Sequence, residues 1–158
     1  MFPFLRFWTL AVLLLAHWPA AAQTTQPAPV ASWHTNLATA QALAKATHRP
    51  LLAVFSGSDW CKPCIMLKQE VFDKPEFEQF AKDKFVLARF DFPRSKKNKL
   101  PATQTKANEQ AAAQLNKEGS FPLVVVLSPE GKVLAKTGYR PGGATTYDAY
   151  LTQLLAKK

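Results

Sequence analysis

The chain has 158 residues, which is enough for one domain with a buried core and leaves little room for a second. Twenty lysines and arginines against eleven acidic residues give a formal net charge of +9, so the surface can attract acidic partners or anionic surfaces. The basic residues have no aromatic residues interleaved with them and form no known nucleic-acid-binding motif, which excludes nucleic acid as the expected partner.

The N-terminal segment has the pattern of a secretory signal peptide. Arg6 is its only charge, residues 7–16 are apolar, and Ala20-Ala21-Ala22 supply the small residues of a cleavage site. A membrane-spanning helix needs about 20 apolar residues, so an uncleaved anchor is the less favoured alternative. We therefore predict a signal peptide over residues 1–22, cut after Ala22. The mature protein is expected in the periplasm or secreted, and to meet the membrane only transiently during export.

A proline-containing, small-residue stretch over 23–32 predicts a disordered lead-in. The domain proper is expected over residues 33–158. Its first helix is predicted over 36–47, with either Thr35 or Asn36 as the N-cap. The unbroken apolar run over 51–55 then predicts a central strand that is covered on both faces.

The only two cysteines, Cys61 and Cys64, follow this strand as a C-x-x-C pair, and a helix is predicted over 63–71. The first sulfur then lies at a helix N-terminus, where unpaired N–H groups and the helix dipole stabilise a thiolate. A purely structural disulfide is the alternative, but so short a loop gains little stability from closure. The pattern predicts a redox-active dithiol with no bound cofactor.

The remaining elements alternate between helices and strands and include a β-hairpin. Strands separated by helices pair in parallel through right-handed crossovers, and a hairpin adds an antiparallel edge. The order predicts an α/β fold with a central mixed sheet of about four strands flanked by helices. Residues 91–101 are predicted to form a charged, proline-containing loop, and the lysines and arginines concentrated over 89–106 are interpreted as a solvated basic loop. The predicted elements are a helix from 74 or 75, a strand over 85–90, a helix over 103–117, strands over 123–127 and 132–136, and a helix with Tyr147, Tyr150, Leu151 and Leu154 inward.

Two stretches resemble the active site of the thioredoxin superfamily. Trp60-Cys61-Lys62-Pro63-Cys64 resembles its Trp-Cys-Gly-Pro-Cys motif with Lys in place of Gly, and Phe121-Pro122 resembles its cis-proline position. The runs FSGSDWC, EVFDKPEF, DFPRSKK, FPLVVVLSPEGKVL and GYRPGG are similar to exported bacterial thioredoxin-like proteins. The resemblance extends from about residue 33 to the C-terminus. It implies a thioredoxin fold and thiol–disulfide interchange.

The position of the two cysteines predicts their roles. Cys61, expected to be exposed at the helix start, attacks a substrate disulfide, and the more buried Cys64 resolves the mixed disulfide. Lys62 either favours the thiolate through its charge or points into solvent. Pro63 keeps the two sulfurs in bonding register by fixing its own φ angle.

Three aromatic or cyclic residues are expected to support the dithiol. Trp60 covers one side of it, or is simply packed in the core. Pro122, if cis as the resemblance implies, turns the backbone at Phe121 toward an incoming substrate chain. Phe121 is bulkier than the residue that thioredoxins usually have there.

Besides Phe121, one other position departs from the thioredoxin pattern, and it affects the chemistry of the dithiol. Phe55 occupies the position of the buried acid in thioredoxins, so no carboxylate there can manage the proton of Cys64. Asp59 is expected to face solvent, where its charge would raise the pKa of the Cys61 thiol. The direction of electron flow is therefore open.

The favoured function is an exported thiol–disulfide oxidoreductase, monomeric, that exchanges disulfides with protein thiols and depends on an unidentified redox partner. A zinc site is disfavoured because there is no second cysteine pair. One alternative is a copper(I) metallochaperone that uses both thiolates and either His34 or His48. The other alternative is a non-catalytic interaction module. No metal ligand is predicted.

Overall fold

The computed structural model describes residues 32–156, so the predicted signal peptide and all but the last residue of the predicted lead-in lie outside the described residues. Within this part of the chain, no helix is long and apolar enough to cross a membrane. The elements are β1 (Trp33–His34), α1 (Leu37–Thr47), β2 (Leu51–Ser56), α2 (Lys62–Leu67), a π-helical turn (Lys68–Phe72), α3 (Pro75–Ala81), β3 (Val86–Asp91), a 3₁₀ turn (Lys96–Asn98), α4 (Ala102–Leu115), β4 (Leu123–Leu127), β5 (Val133–Thr137) and α5 (Gly143–Ala156).

The strands form one mixed sheet in the order β1-β3-β2-β4-β5. β1, β3 and β2 are parallel, whereas β4 runs antiparallel to β2 and β5 antiparallel to β4. The predicted α/β thioredoxin fold with a mixed sheet flanked by helices is confirmed. The expected number of strands was one too low, because β1 has only two residues and too short a pattern to reveal a strand.

β2 lies at the centre of the sheet because its first five residues are buried on both faces. Leu51, Ala53 and Phe55 join one apolar cluster with residues of α1 and α4. Leu52 and Val54 point to the opposite face and join a second cluster with residues of α3 and α5. The period-two alternation of a strand divides the run between the two halves of the core. The end of β2 therefore presents the cysteine motif from a rigid support.

The helix after the cysteine motif begins as predicted but changes its winding. Pro63 lies in the first turn of α2, where its missing N–H costs no hydrogen bond. After Leu67 the backbone widens into the π-helical turn, which buries Val71 and Phe72. The predicted single helix over 63–71 is thus two consecutive helical segments.

Asp148 on α5 is a buried carboxyl group whose Oδ1 accepts no hydrogen bond within the described part of the chain. The pKa of Asp148 is raised to about 6, chiefly by burial, with Lys84 opposing the rise and Glu76 adding to it. The stability that this group contributes is therefore fully present below about pH 4 and is lost as the pH rises through about 6.

Asp148→Asn should increase the free energy of unfolding at pH 7.5 by about 1–2 kcal/mol, because the amide cannot ionise and part of the carboxyl remains solvated. Urea unfolding of both proteins at pH 3.5 and pH 7.5 measures the effect. The gain should be absent at the lower pH. An equal gain at both pH values would mean that ionisation of Asp148 is not the cause.

Candidate redox site

Cys61 and Cys64 form a disulfide at the start of α2, with their Cα atoms 5.2 Å apart. Cys61 is the residue before the first helical residue and has an extended backbone conformation, whereas Cys64 lies inside the helix. The Gly57 N–H donates to Cys64 Sγ at 3.5 Å, and the Cys61 N–H donates back to the Gly57 carbonyl at 3.0 Å. The loop before the helix is therefore folded back against the disulfide.

The expectation that Cys61 is exposed is wrong for this oxidised form. Cys61 is 5% exposed and Cys64 is 3% exposed. The bond draws the Cys61 sulfur toward the buried Cys64, and the Cys61 backbone is held by Gly57. The difference in depth between the two cysteines is consequently small while the disulfide is closed.

The indole ring of Trp60 is held in place by Gly57, Phe92 and Arg94. A Cβ atom at Gly57 would overlap this ring, so only glycine allows the ring to lie there. The Trp60 Nε1–H donates to the Phe92 carbonyl at 2.8 Å, and the Arg94 guanidinium lies 3.7 Å from the ring centroid. Trp60 thus connects the dithiol to the segment after β3. Whether it also covers the sulfurs stays a prediction.

Asp59 lies at the surface, as expected, but its carboxylate also holds the loop after β3. Its carboxylate accepts hydrogen bonds from the backbone N–H groups of Arg94 and Ser95, each at 2.9 Å, and from Asn98 Nδ2 at 3.0 Å. The two backbone hydrogen bonds, Arg94 first, lower the pKa of Asp59. The carboxylate is therefore ionised and engaged with this loop at neutral pH.

A second carboxylate ties the same loop to the cysteine motif. Asp91, at the end of β3, accepts hydrogen bonds from the Ser58 N–H at 2.9 Å and the Ser58 hydroxyl at 2.6 Å. Residues 94–99 are exposed, as expected of a solvated loop, but the loop is also bound to residues 58–60 at several points. Sequence reasoning missed Asp91 and Ser58. An unusually long loop beside a polar run in front of the dithiol was the available signal.

The other residues predicted to support the dithiol come from the start of α2 and from the segment before β4. Lys62 and Pro63 are exposed, so the effect of the Lys62 charge stays a prediction. The Phe121–Pro122 peptide bond is cis, as the resemblance implied. The ring of Phe121 lies 5.4 Å from those of both Trp60 and Phe92.

Beside the disulfide is a small, mostly apolar cavity of about 90 Å³ that both Cys64 and Pro122 line. Asp91 is the carboxylate that lines it, alongside the cationic residues Lys68 and Arg89. Phe55 stands where thioredoxins have a buried acidic residue. It is fully buried and its ring centroid lies 5.2 Å from that of Phe90, so this position provides no carboxylate here. The carboxylate that shares a cavity with Cys64 is therefore Asp91, at the end of β3.

The structure gives no support to a histidine-assisted copper site. His34 belongs to β1 and His48 ends α1, and neither lines the cavity beside Cys64. Among residues 32–156, no group of three or more His, Cys, Asp and Glu side chains is arranged to hold a metal ion.

Comparison with known proteins gives consistent matches. A family model described as thioredoxin-like matches residues 32–129. The disulfide bond reductase DsbH of Chlamydia pneumoniae is 36% identical over 127 residues, which are 79% of this chain and 74% of DsbH. A solved structure of a DsbH oxidoreductase aligns with a TM-score of 0.73 and 33% identity, covering 86% of this chain and 93% of that one.

A more distant relative shares only part of its length with this chain. The thioredoxin-related protein DsbJ of Chlamydia pneumoniae is 29% identical over 106 residues, which are 67% of this chain and 30% of DsbJ. The solution structure of a thioredoxin from Thermus thermophilus, 20% identical with a TM-score of 0.60, shares the fold and covers 82% of this chain and 90% of its own. On the family match and the identity to DsbH, this chain belongs to the thioredoxin-like family.

Proposed function

We propose that Cys61 and Cys64 are the catalytic dithiol of this thiol–disulfide oxidoreductase, and that the protein acts as a monomer in the periplasm or outside the cell. The observation that carries the proposal is the Cys61–Cys64 disulfide at the start of α2, at the end of a buried central strand. A disulfide that closes so short a loop contributes little to stability, so reversible chemistry is its more reasonable use.

In the proposed reaction the Cys61 thiolate attacks one sulfur of a substrate disulfide. A Cys61–substrate disulfide forms and the other substrate sulfur leaves as a thiolate. The Cys64 thiolate then attacks Cys61 Sγ, which closes the intramolecular disulfide and releases the second substrate thiolate. Two electrons pass to the substrate. A dithiol-containing redox partner must return them before the next cycle.

The structure suggests how the second step is assisted. The Gly57 N–H at 3.5 Å from Cys64 Sγ is a donor that would favour the thiolate of the attacking cysteine. Trp60 and Phe121 lie on one side of the motif, and Pro122 shares the small cavity with Cys64. These residues would hold the substrate chain beside the sulfurs, and Lys62 and Pro63 would act on the thiolate charge and on the spacing of the sulfurs.

The proposed direction is reduction of protein disulfides, and it rests on the activity named for the relative DsbH. The reduction potential of the Cys61–Cys64 couple, measured by equilibration with glutathione and trapping of thiols, tests it. We expect a value near that of thioredoxin, about −270 mV. A value near about −120 mV would instead make the protein an oxidant. Cys61→Ser should show no two-electron couple in the same measurement.

A further inference from the structure

A groove of about 610 Å³ opens beside the cysteine motif, between Trp60 and the loop that follows β3. Its volume lies in the range of pockets that bury most of a bound group. It also borders the residues that precede Cys61 and Pro122, namely Trp60 and Phe121. Because an extended chain spans about 3.3–3.6 Å per residue, a polypeptide whose cysteine has reacted with Cys61 can enter the groove within a few residues.

One side of the groove is aromatic. The rings of Trp60 and Phe92 each lie 5.4 Å from that of Phe121, in edge-on arrangements, and Leu100 adds an aliphatic surface. The Arg94 guanidinium and Gly57 lie against the Trp60 ring, so the apolar surface open to a ligand comes mainly from three partly buried residues, Phe92, Leu100 and Phe121. The aromatic surface is therefore available to an apolar side chain of a ligand.

The rim of the groove is positively charged. Arg94, Lys96 and Lys99 line it, and all three are exposed. Its acidic lining residue is Asp91, whose carboxylate is bound to Ser58. The ion pairs of the described chain are Lys68–Asp73 and Lys136–Glu118, neither of which involves these three cations. The ionised Asp59 offsets part of this charge through the loop backbone but pairs with none of the three side chains, so an excess of positive charge remains for a ligand to balance.

The groove is held in shape by contacts on each side. Asp59 binds the backbone of Arg94 and Ser95, and Trp60 binds the Phe92 carbonyl. On the other side, the buried Asn108 of α4 donates to the Asp91 carbonyl at 2.7 Å. A groove built this way loses little conformational freedom when a ligand binds, which favours affinity.

We propose that this groove is a docking site for the substrate segment next to the reacting cysteine, and that the segment carries an apolar side chain together with acidic residues. The apolar side chain would lie against the aromatic surface while the acidic groups meet the rim. The inference rests on the proposed function, since it assigns the substrate preference of the same dithiol. Charge complementarity of this kind controls partner choice and is weakened by salt.

The test compares three substrates in steady-state reduction. Two are disulfide-bonded peptides that differ only in carrying two glutamates or two lysines beside a leucine and the cysteine. The third is hydroxyethyl disulfide, which is small and uncharged. We expect the native protein to favour the acidic peptide over the basic one by about tenfold in kcat/KM at low salt, mainly through KM, and less in high salt.

The matched variants are Lys96→Glu/Lys99→Glu and, as the control, Lys45→Glu/Lys132→Glu. Both change the net charge equally, but Lys45 and Lys132 are exposed at the end of the sheet opposite the cysteine motif and do not line the groove. Each kcat/KM for a peptide is divided by the kcat/KM of the same variant for hydroxyethyl disulfide. On this scale Lys96→Glu/Lys99→Glu should lose or reverse the preference for the acidic peptide. The control should retain it within about twofold, since a distant exposed charge acts weakly.

Equal loss of the preference in both variants would overturn the docking site, because overall charge would then be the cause. A native protein that reduces hydroxyethyl disulfide but does not distinguish the peptides would also overturn it, while leaving the oxidoreductase proposal intact. Failure to reduce any of the three substrates would contradict the proposed function itself, and the docking site with it.

Discussion

Cys61→Ser should lower the rate of disulfide reduction by at least about a thousandfold, because a serine hydroxyl cannot form the mixed disulfide on which the reaction depends. Cys64→Ser should also abolish turnover, but for a different reason: the first attack still occurs and the product remains bound to Cys61. Single-turnover reactions of the pre-reduced proteins with hydroxyethyl disulfide measure both losses, with no other thiol present, because dithiothreitol would itself release the adduct from Cys61. Each variant must be compared at equal concentration of folded protein.

Val133→Ala is a suitable control for these variants. Val133 is 43% exposed on the edge strand β5, away from the dithiol, so its rate should match that of the native protein. If Cys61→Ser kept an appreciable fraction of the rate while Cys64→Ser lost it, the assigned roles of the two cysteines would have to be exchanged.

Phe77→Ala should lower the free energy of unfolding by about 3–5 kcal/mol, the largest effect on stability that we expect from one truncation. Phe77 is 1% exposed, and its ring lies 4.9 Å from Phe72 and 6.4 Å from both Trp33 and Phe80. Its removal would leave a cavity where α3 meets β1 and the π-helical turn. Rigid aromatic neighbours would fill this cavity only partly.

Chemical denaturation of the oxidised protein measures this loss, and Val133→Ala again provides the comparison, with an expected change below about 0.5 kcal/mol. Phe77 belongs to the cluster on one face of the sheet and is not part of the cysteine motif. The reduction potential of the folded Phe77→Ala protein should therefore equal that of the native protein. A loss of stability below about 1 kcal/mol would show that the aromatic cluster is packed less tightly than described.

The features that sequence predicted correctly are those whose signal is local. The apolar run of β2 and the C-x-x-C pair are each visible within ten residues, and the hairpin formed by β4 and β5 has a proline and a glycine in its turn. These elements set the order of the fold. Phe121-Pro122 could be recognised only through the family resemblance, since a proline before a strand has several explanations.

The features that sequence missed depend on contacts between distant residues. Asp59 binds the backbone N–H groups of Arg94 and Ser95, and any residue type except proline provides such a donor. No pattern in the sequence could pair them. The same holds for β1, whose two residues become a strand only because β3 is available to pair with them. The sequence therefore indicated that the loop after β3 is exposed, but it did not indicate that this loop is bound to residues 58–60 and forms one side of the groove.

The most direct test of the central claim is to trap the mixed disulfide. Reduced Cys64→Ser protein is mixed with a disulfide-bonded peptide, quenched with acid, digested and analysed by mass spectrometry under non-reducing conditions. We predict one covalent adduct per molecule, linked to Cys61 and removed by dithiothreitol. Absence of an adduct with folded, fully reduced protein would contradict the assignment of Cys61 as the nucleophile.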